Sequence, residues 1–115
     1  MRCEKLDVWK RSSRVSVDIY KYFVQCKDFG FKDQITRSSL SVPSNIAEGM
    51  EKESIKEQLR FLEIAKGSSA ELITQIYIGI EITYIEKEVS LSWKIEIEEI
   101  LKMIVGLQHK LKSKL

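Results

Sequence analysis

Pro43-Ser44-Asn45-Ile46-Ala47-Glu48-Gly49, together with a second small-residue stretch, Ala65-Lys66-Gly67-Ser68-Ser69-Ala70-Glu71-Leu72, decides how this chain is read. Both stretches interrupt segments whose apolar residues recur at helical spacing. Small side chains let helix backbones approach closely, and the polar groups among them need hydrogen-bond partners once buried. These positions therefore read as packing and assembly positions before they read as chemistry.

Working outward from the first stretch, Ile35, Ser39, Val42 and Ile46 make an inner stripe, which predicts a helix beginning near Asp33. Gly30 ends the helix before it, Gly49 favours a stop, and Pro43 predicts a kink or break near Ser39 to Val42. Outward from the second stretch, Ser54-x-x-Glu57 is a capping-box pattern opening a long third helix. Its core stripe is Ile55, Leu59, Leu62, Ala65, Ser69, Leu72, Ile76 and Ile80. On the opposite side lie Arg60, Ile64, Gly67, Glu71, Ile78 and Ile82. Three isoleucines on a solvent side exceed what a monomer needs and point to an oligomer face at Ile64, Ile78 and Ile82.

The first helix is predicted over Leu6 to Lys27, with Lys10, Arg11, Arg14, Asp18, Lys21 and Gln25 on its charged side. Its apolar arc spans roughly 200° where one core needs about 100°, again favouring a second contact surface. The last helix is capped by Ser90 or Ser92 and carries Trp93, Ile97, Ile100, Leu101, Ile104, Leu107, Leu111 and Leu115. The pattern gives an all-α, up-down-up-down antiparallel four-helix bundle, one domain over 1–115.

Composition agrees. The chain has 115 residues, 43% hydrophobic and 31% charged, with one proline and five glycines, which suits a compact helical protein. The start, Met1-Arg2-Cys3-Glu4-Lys5, is charged where a signal peptide needs an apolar core. No apolar run approaches the roughly 20 residues that span a bilayer, so the expected location is cytoplasmic, without a membrane partner. Cys3 and Cys26 form no Cys-x-x-Cys pair. A formal charge of +2 permits nucleic-acid contact without advertising it.

Three segments carry a resemblance: Leu6-x-Val8-Trp9; Gln34-Ile35-x-Arg37-x-x-x-Ser41-Val42-Pro43-Ser44-Asn45-Ile46-Ala47-Glu48-Gly49; and Phe61-Leu62-x-Ile64-Ala65-x-Gly67-Ser68-x-x-Glu71-Leu72. Across nearly its whole length the chain resembles the four-helix-bundle proteins encoded within intervening sequences of bacterial 23S ribosomal RNA genes. Relatives of that family include the accessory variability determinant of diversity-generating retroelements. The resemblance implies a subunit of a homopentameric, barrel-like ring associated with RNA or with a reverse-transcriptase-like protein, and no catalytic activity. The retroelement relatives look basic, whereas the charge here is near balance.

Candidate sites follow from the stripes. Arg37, Ser41, Ser44 and Glu48, with Asn45 alongside, predict a polar strip on the second helix, joined by Ser68 and Glu71 on the third. It can serve as a ligand or RNA contact, or as packing groups that satisfy one another and the carbonyl freed by Pro43. Lys10, Arg11, Arg14 and Lys21 are the candidate phosphate contacts. His109 is the only histidine and residue 106 is glycine, so the Glu-x-x-His pattern of di-metal bundles fails. No metal, cofactor or catalytic residue is assigned. The expected protein is a non-enzymatic, self-assembling scaffold that binds nucleic acid. Its rivals are a protein-binding adaptor using exposed apolar helix faces and, more remotely, a hydrolase with a carboxylate-only metal site.

Overall fold

The computed structural model describes residues 2–115 and is all-helical among them. A 3₁₀ turn over Arg2–Lys5 precedes α1 (Asp7–Tyr22), α2 (Phe29–Met50), α3 (Ile55–Glu81) and α4 (Lys87–Lys112). The helices pack as a four-helix bundle of 46 × 21 × 20 Å in which α1 touches α2, α2 touches α3, α3 touches α4, and α4 returns to α1. No helix among the described residues is long and apolar enough to cross a membrane.

The core is a column of branched side chains, Val8, Val15 and Ile19 from α1, Ile35, Val42 and Ile46 from α2, Leu62, Leu72 and Ile76 from α3, and Ile97, Ile100 and Ile104 from α4. Each full burial stabilises by about 2 kcal/mol. Phe23, Tyr22, Trp93, Phe31 and Tyr84 close one end, their rings meeting edge-on or tilted at 5.2 to 6.3 Å between centroids. The 3₁₀ turn tucks Cys3 under the bundle.

Four boundaries differ from the sequence expectation. The first helix stops at Tyr22 rather than Lys27, because Phe23 turns inward to the aromatic cluster and the chain leaves the helix. Gly30 does not end that helix; it lies in the first turn of α2, which starts at Phe29 because the Asp28 side chain accepts the Phe31 N–H at 3.2 Å. The predicted break at Pro43 does not occur, and α2 is helical throughout. Burial of Pro43, with partners on both flanks of α2, outweighs the single helix hydrogen bond that proline removes. Ser90 and Ser92 do not cap α4. The helix begins one turn earlier at Lys87, and Ser90 is buried inside it.

Gly49 also works differently from a helix stop. A Cβ there would lie 3.0 Å from Phe61 Cβ and 3.4 Å from the Gln58 carbonyl, so glycine eases the close approach of α3. The capping pattern at Ser54 holds, its hydroxyl accepting the Glu57 N–H at 3.1 Å, while the Glu57 carboxylate turns to Arg60.

The end of α3 is a Schellman turn: Thr83 N–H donates to the Ile80 carbonyl and Tyr84 N–H to the Gly79 carbonyl. Thr83 occupies the left-handed position, φ 65°, where a β-branched residue is strained. Thr83→Gly is therefore expected to stabilise the fold by about 1 kcal/mol. Gly79→Ala, whose Cβ would collide with Ile85, should destabilise it. Urea unfolding of both variants reads the two signs, and a Thr83→Gly protein no more stable than the parent contradicts the assignment of strain.

Candidate polar seam and basic face

The second small-residue stretch faces the part of α2 just before the first. Across the α2/α3 interface Ser41 Oγ and Ser68 Oγ lie 2.8 Å apart, and the Asn45 side-chain amide donates to Ser41 Oγ at 3.0 Å and to the Ser41 carbonyl at 2.8 Å. One turn along, buried Ser38 donates to Glu71 Oε1 at 2.5 Å. These bonds make a ladder of small polar groups where larger apolar residues would hold the helices apart. Gln75, also on α3, keeps a buried side-chain oxygen without a hydrogen-bond partner.

The predicted strip on α2 is thus divided. Ser41 and Asn45 join Ser68 in the seam, with Glu71 bonded to Ser38, whereas Arg37, Ser44 and Glu48 lie on the exposed side. Arg37 pairs along its own helix with Asp33 at 3.1 Å. The carbonyl that Asn45 caps belongs to Ser41 rather than to Ser39, the group Pro43 deprives of its partner. Ser38 is a seam residue that the stripes did not single out. The signal that finds it is its place one turn before Ser41 on the same side of the helix.

On α1 the four candidate cations do not act together. Lys10, Arg14 and Lys21 are exposed, but Arg11 turns to α4 and grips Glu96 with both arms, Nε to Oε2 at 2.8 Å and Nη2 to Oε1 at 2.6 Å. A third nitrogen reaches Met103 Sδ at 3.5 Å. Hydrogen bonding and charge from Glu96 raise the Arg11 pKa further above its ordinary value, and the same hydrogen bond holds the Glu96 carboxyl below its ordinary value. Arg11 is a clamp between α1 and α4, not a free phosphate contact.

The remaining electrostatics are local. Asp28, which caps α2, also accepts the Tyr84 hydroxyl at 2.8 Å; the Phe31 N–H and this hydroxyl lower its pKa and Asp28 raises that of Tyr84. No group of three His, Cys, Asp or Glu residues positioned to hold a metal ion exists among the described residues.

A four-helix bundle knit across one interface by serines, an asparagine and a glutamate defines a class of small all-helical proteins. The chain belongs to the 23S rRNA-intervening sequence protein family, whose model matches residues 4–106. It is similar to a crystal structure from Bacteroides thetaiotaomicron VPI-5482 of a protein with unknown function from the S23 ribosomal protein family, at TM-score 0.82 and 28% identity over 88% of this chain and 97% of that one. No curated protein matches the chain.

The Arg11–Glu96 clamp predicts a pH dependence. A carboxylate whose pKa is lowered on folding stabilises the fold above its ordinary value of 4.5 and loses that contribution as pH falls through the lowered one. Both side chains are about one-third exposed, so screening limits the pair to about 1 kcal/mol. Glu96→Gln should cost about that much at pH 7, and the gap from the parent should narrow as pH falls below 4.5. Chemical unfolding above and below that pH measures it.

Proposed function

We propose that this protein is a non-catalytic scaffold subunit that self-associates into a closed ring, five copies being the expected number, and presents basic side chains to RNA. Within the subunit we read the topology as up-down-up-down and antiparallel, on the short connections and on pairings such as Ser41 with Ser68 and Ser38 with Glu71, in which one number rises as the other falls.

The observation that carries self-association is the exposure of large apolar residues in separate patches. Ile64, Ile78 and Ile82 on α3 are 41%, 46% and 42% exposed, and Tyr77 beside them 58%. Leu91 and Ile95 on α4 are 56% and 55% exposed and line an open groove against α1. Val17, Tyr20 and Leu40 border a third, apolar groove between α1 and α2. Two unlike patches on one subunit suit head-to-tail contacts, which close into rings when the rotation allows. The RNA part of the reading is supported by the family's descriptive name, by exposed Lys10, Arg14 and Lys21, and by the lysines at the end of α4, Lys110, Lys112 and Lys114.

Light scattering on protein freed of nucleic acid is expected to give about five times the 13.4 kDa chain mass. Ile78→Glu with Ile82→Glu should lower that mass while helical content stays the same, since both side chains are already outside the core. A monomeric parent protein overturns self-association and moves a protein-binding adaptor ahead.

For the RNA contact, Lys10→Ala, Arg14→Ala and Lys21→Ala together should weaken binding to single-stranded RNA. They should also flatten its log–log dependence on salt by about 1 for each phosphate that is no longer neutralised. Arg11 is left intact because its loss disturbs the α1/α4 clamp. Unchanged affinity and slope in the triple variant remove α1 from the interface.

A further inference from the structure

At the waist of the bundle all four helices surround a small buried chamber lined by Ser12, Ser39 and Ser69 with aliphatic walls that include Val42, Leu72 and Ile97. Every one of these residues is at most 3% exposed. The chamber leaves about 10 Å³ for the centre of a water molecule, the room that roughly one water requires.

The hydroxyls that face it have already committed their protons. Ser12 Oγ donates to the Trp9 carbonyl at 3.2 Å, Ser69 Oγ to the Ala65 carbonyl at 2.9 Å, and Ser39 Oγ to the Thr36 carbonyl at 2.8 Å. Ser39 also sits 3.0 Å from Ser16 Oγ, a contact in which either hydroxyl can donate. A serine oxygen carries two acceptor sites beside its one donor. Ser12 and Ser69 therefore offer acceptor capacity into a buried space and no proton.

We propose that this chamber is a binding site for one ordered water molecule, which donates one proton to Ser12 on α1 and the other to Ser69 on α3. Water matches the site because it is a double donor of the right size. An apolar atom would leave both oxygens facing hydrocarbon, and a larger polar molecule has no room. The two serines belong to the pair of helices, α1 and α3, that are not neighbours around the bundle. The water ties that diagonal together, while Ser16 and Ser39 tie α1 to α2 directly beside it.

Oxygen-17 magnetic relaxation dispersion counts long-lived waters without interference from hydroxyl exchange and is the primary test. The parent protein is expected to show one more long-lived water per chain than the Ser12→Ala, Ser69→Ala double variant. A double-mutant cycle on unfolding midpoints should show coupling between Ser12 and Ser69, the shift from both changes together differing from the sum of the single shifts. Equal dispersion amplitudes in parent and double variant overturn the proposal, as do strictly additive midpoints.

Discussion

The approach of α2 to α3 is the constraint on which the rest of the bundle depends. At one end it is eased by Gly49, where a Cβ would press on Phe61, and at the other by Gly79, where a Cβ would come within 3.2 Å of Phe31 on α2. Between these glycines the contact is made by Ser38 and Ser41 against Glu71 and Ser68. Small groups permit the approach, but small apolar groups would gain little by it, because the transfer free energy of a methyl or methylene is under about 1 kcal/mol. Hydroxyls at the same positions each gain a hydrogen bond, worth about 0.5–1.5 kcal/mol where it is partly buried. The seam thus specifies one register for α2 on α3, since sliding either helix by a turn separates every pair at once.

With that pair fixed, α1 and α4 have less freedom than their stripes alone suggest. α1 is located on α2 by the Ser16–Ser39 bond and on α4 by the two-armed grip of Arg11 on Glu96. At the far end the Tyr22 hydroxyl accepts the Glu86 N–H, serving as the cap that Glu86 itself does not provide. A helix N-terminus leaves its first N–H groups unpaired. Here a side chain from α1 satisfies one of them, so the start of α4 and the end of α1 are set by the same contact. The Schellman turn with its strained Thr83 lies between, and Tyr84 beyond it packs edge-on against Phe31.

Helix number, order and core stripes were legible because apolar periodicity survives the substitution of serine for leucine at single positions: Ile35, Ser39, Val42 and Ile46 are all buried as the spacing requires. The boundaries were less legible where two signals competed. The apolar period runs on through Phe23 and Cys26, so it carried the first helix past its end, although Asp28 three residues before Phe31 was a readable cap. Pro43 spoke for a break on local grounds and was overruled by packing on both flanks. The seam was legible as a set of residue types, and Ser41, Asn45, Ser68 and Glu71 were singled out. Their partners were not, because pairing across helices depends on register, which periodicity within one helix does not contain. The same holds for Arg11: a cation on a helix face looks free until the opposite helix supplies Glu96.

The distribution of polarity bears on why such a chain would associate. The waist of the bundle holds four buried serine hydroxyls, Ser12, Ser16, Ser39 and Ser69, in a cross-section of only 21 × 20 Å. The helices also carry large apolar side chains on their outer faces. Ile64, Ile78, Ile82, Leu91 and Ile95 remain outside. An isolated subunit gains nothing from this arrangement, since isoleucine outside and serine inside invert the usual preference. The inversion becomes favourable once the outer residues are covered, while the serine seam keeps the subunit in a single packing so that the outer patches keep a fixed geometry. On the proposed self-association, the buried serines hold one internal packing and the outer apolar residues are the surface that a second copy would cover.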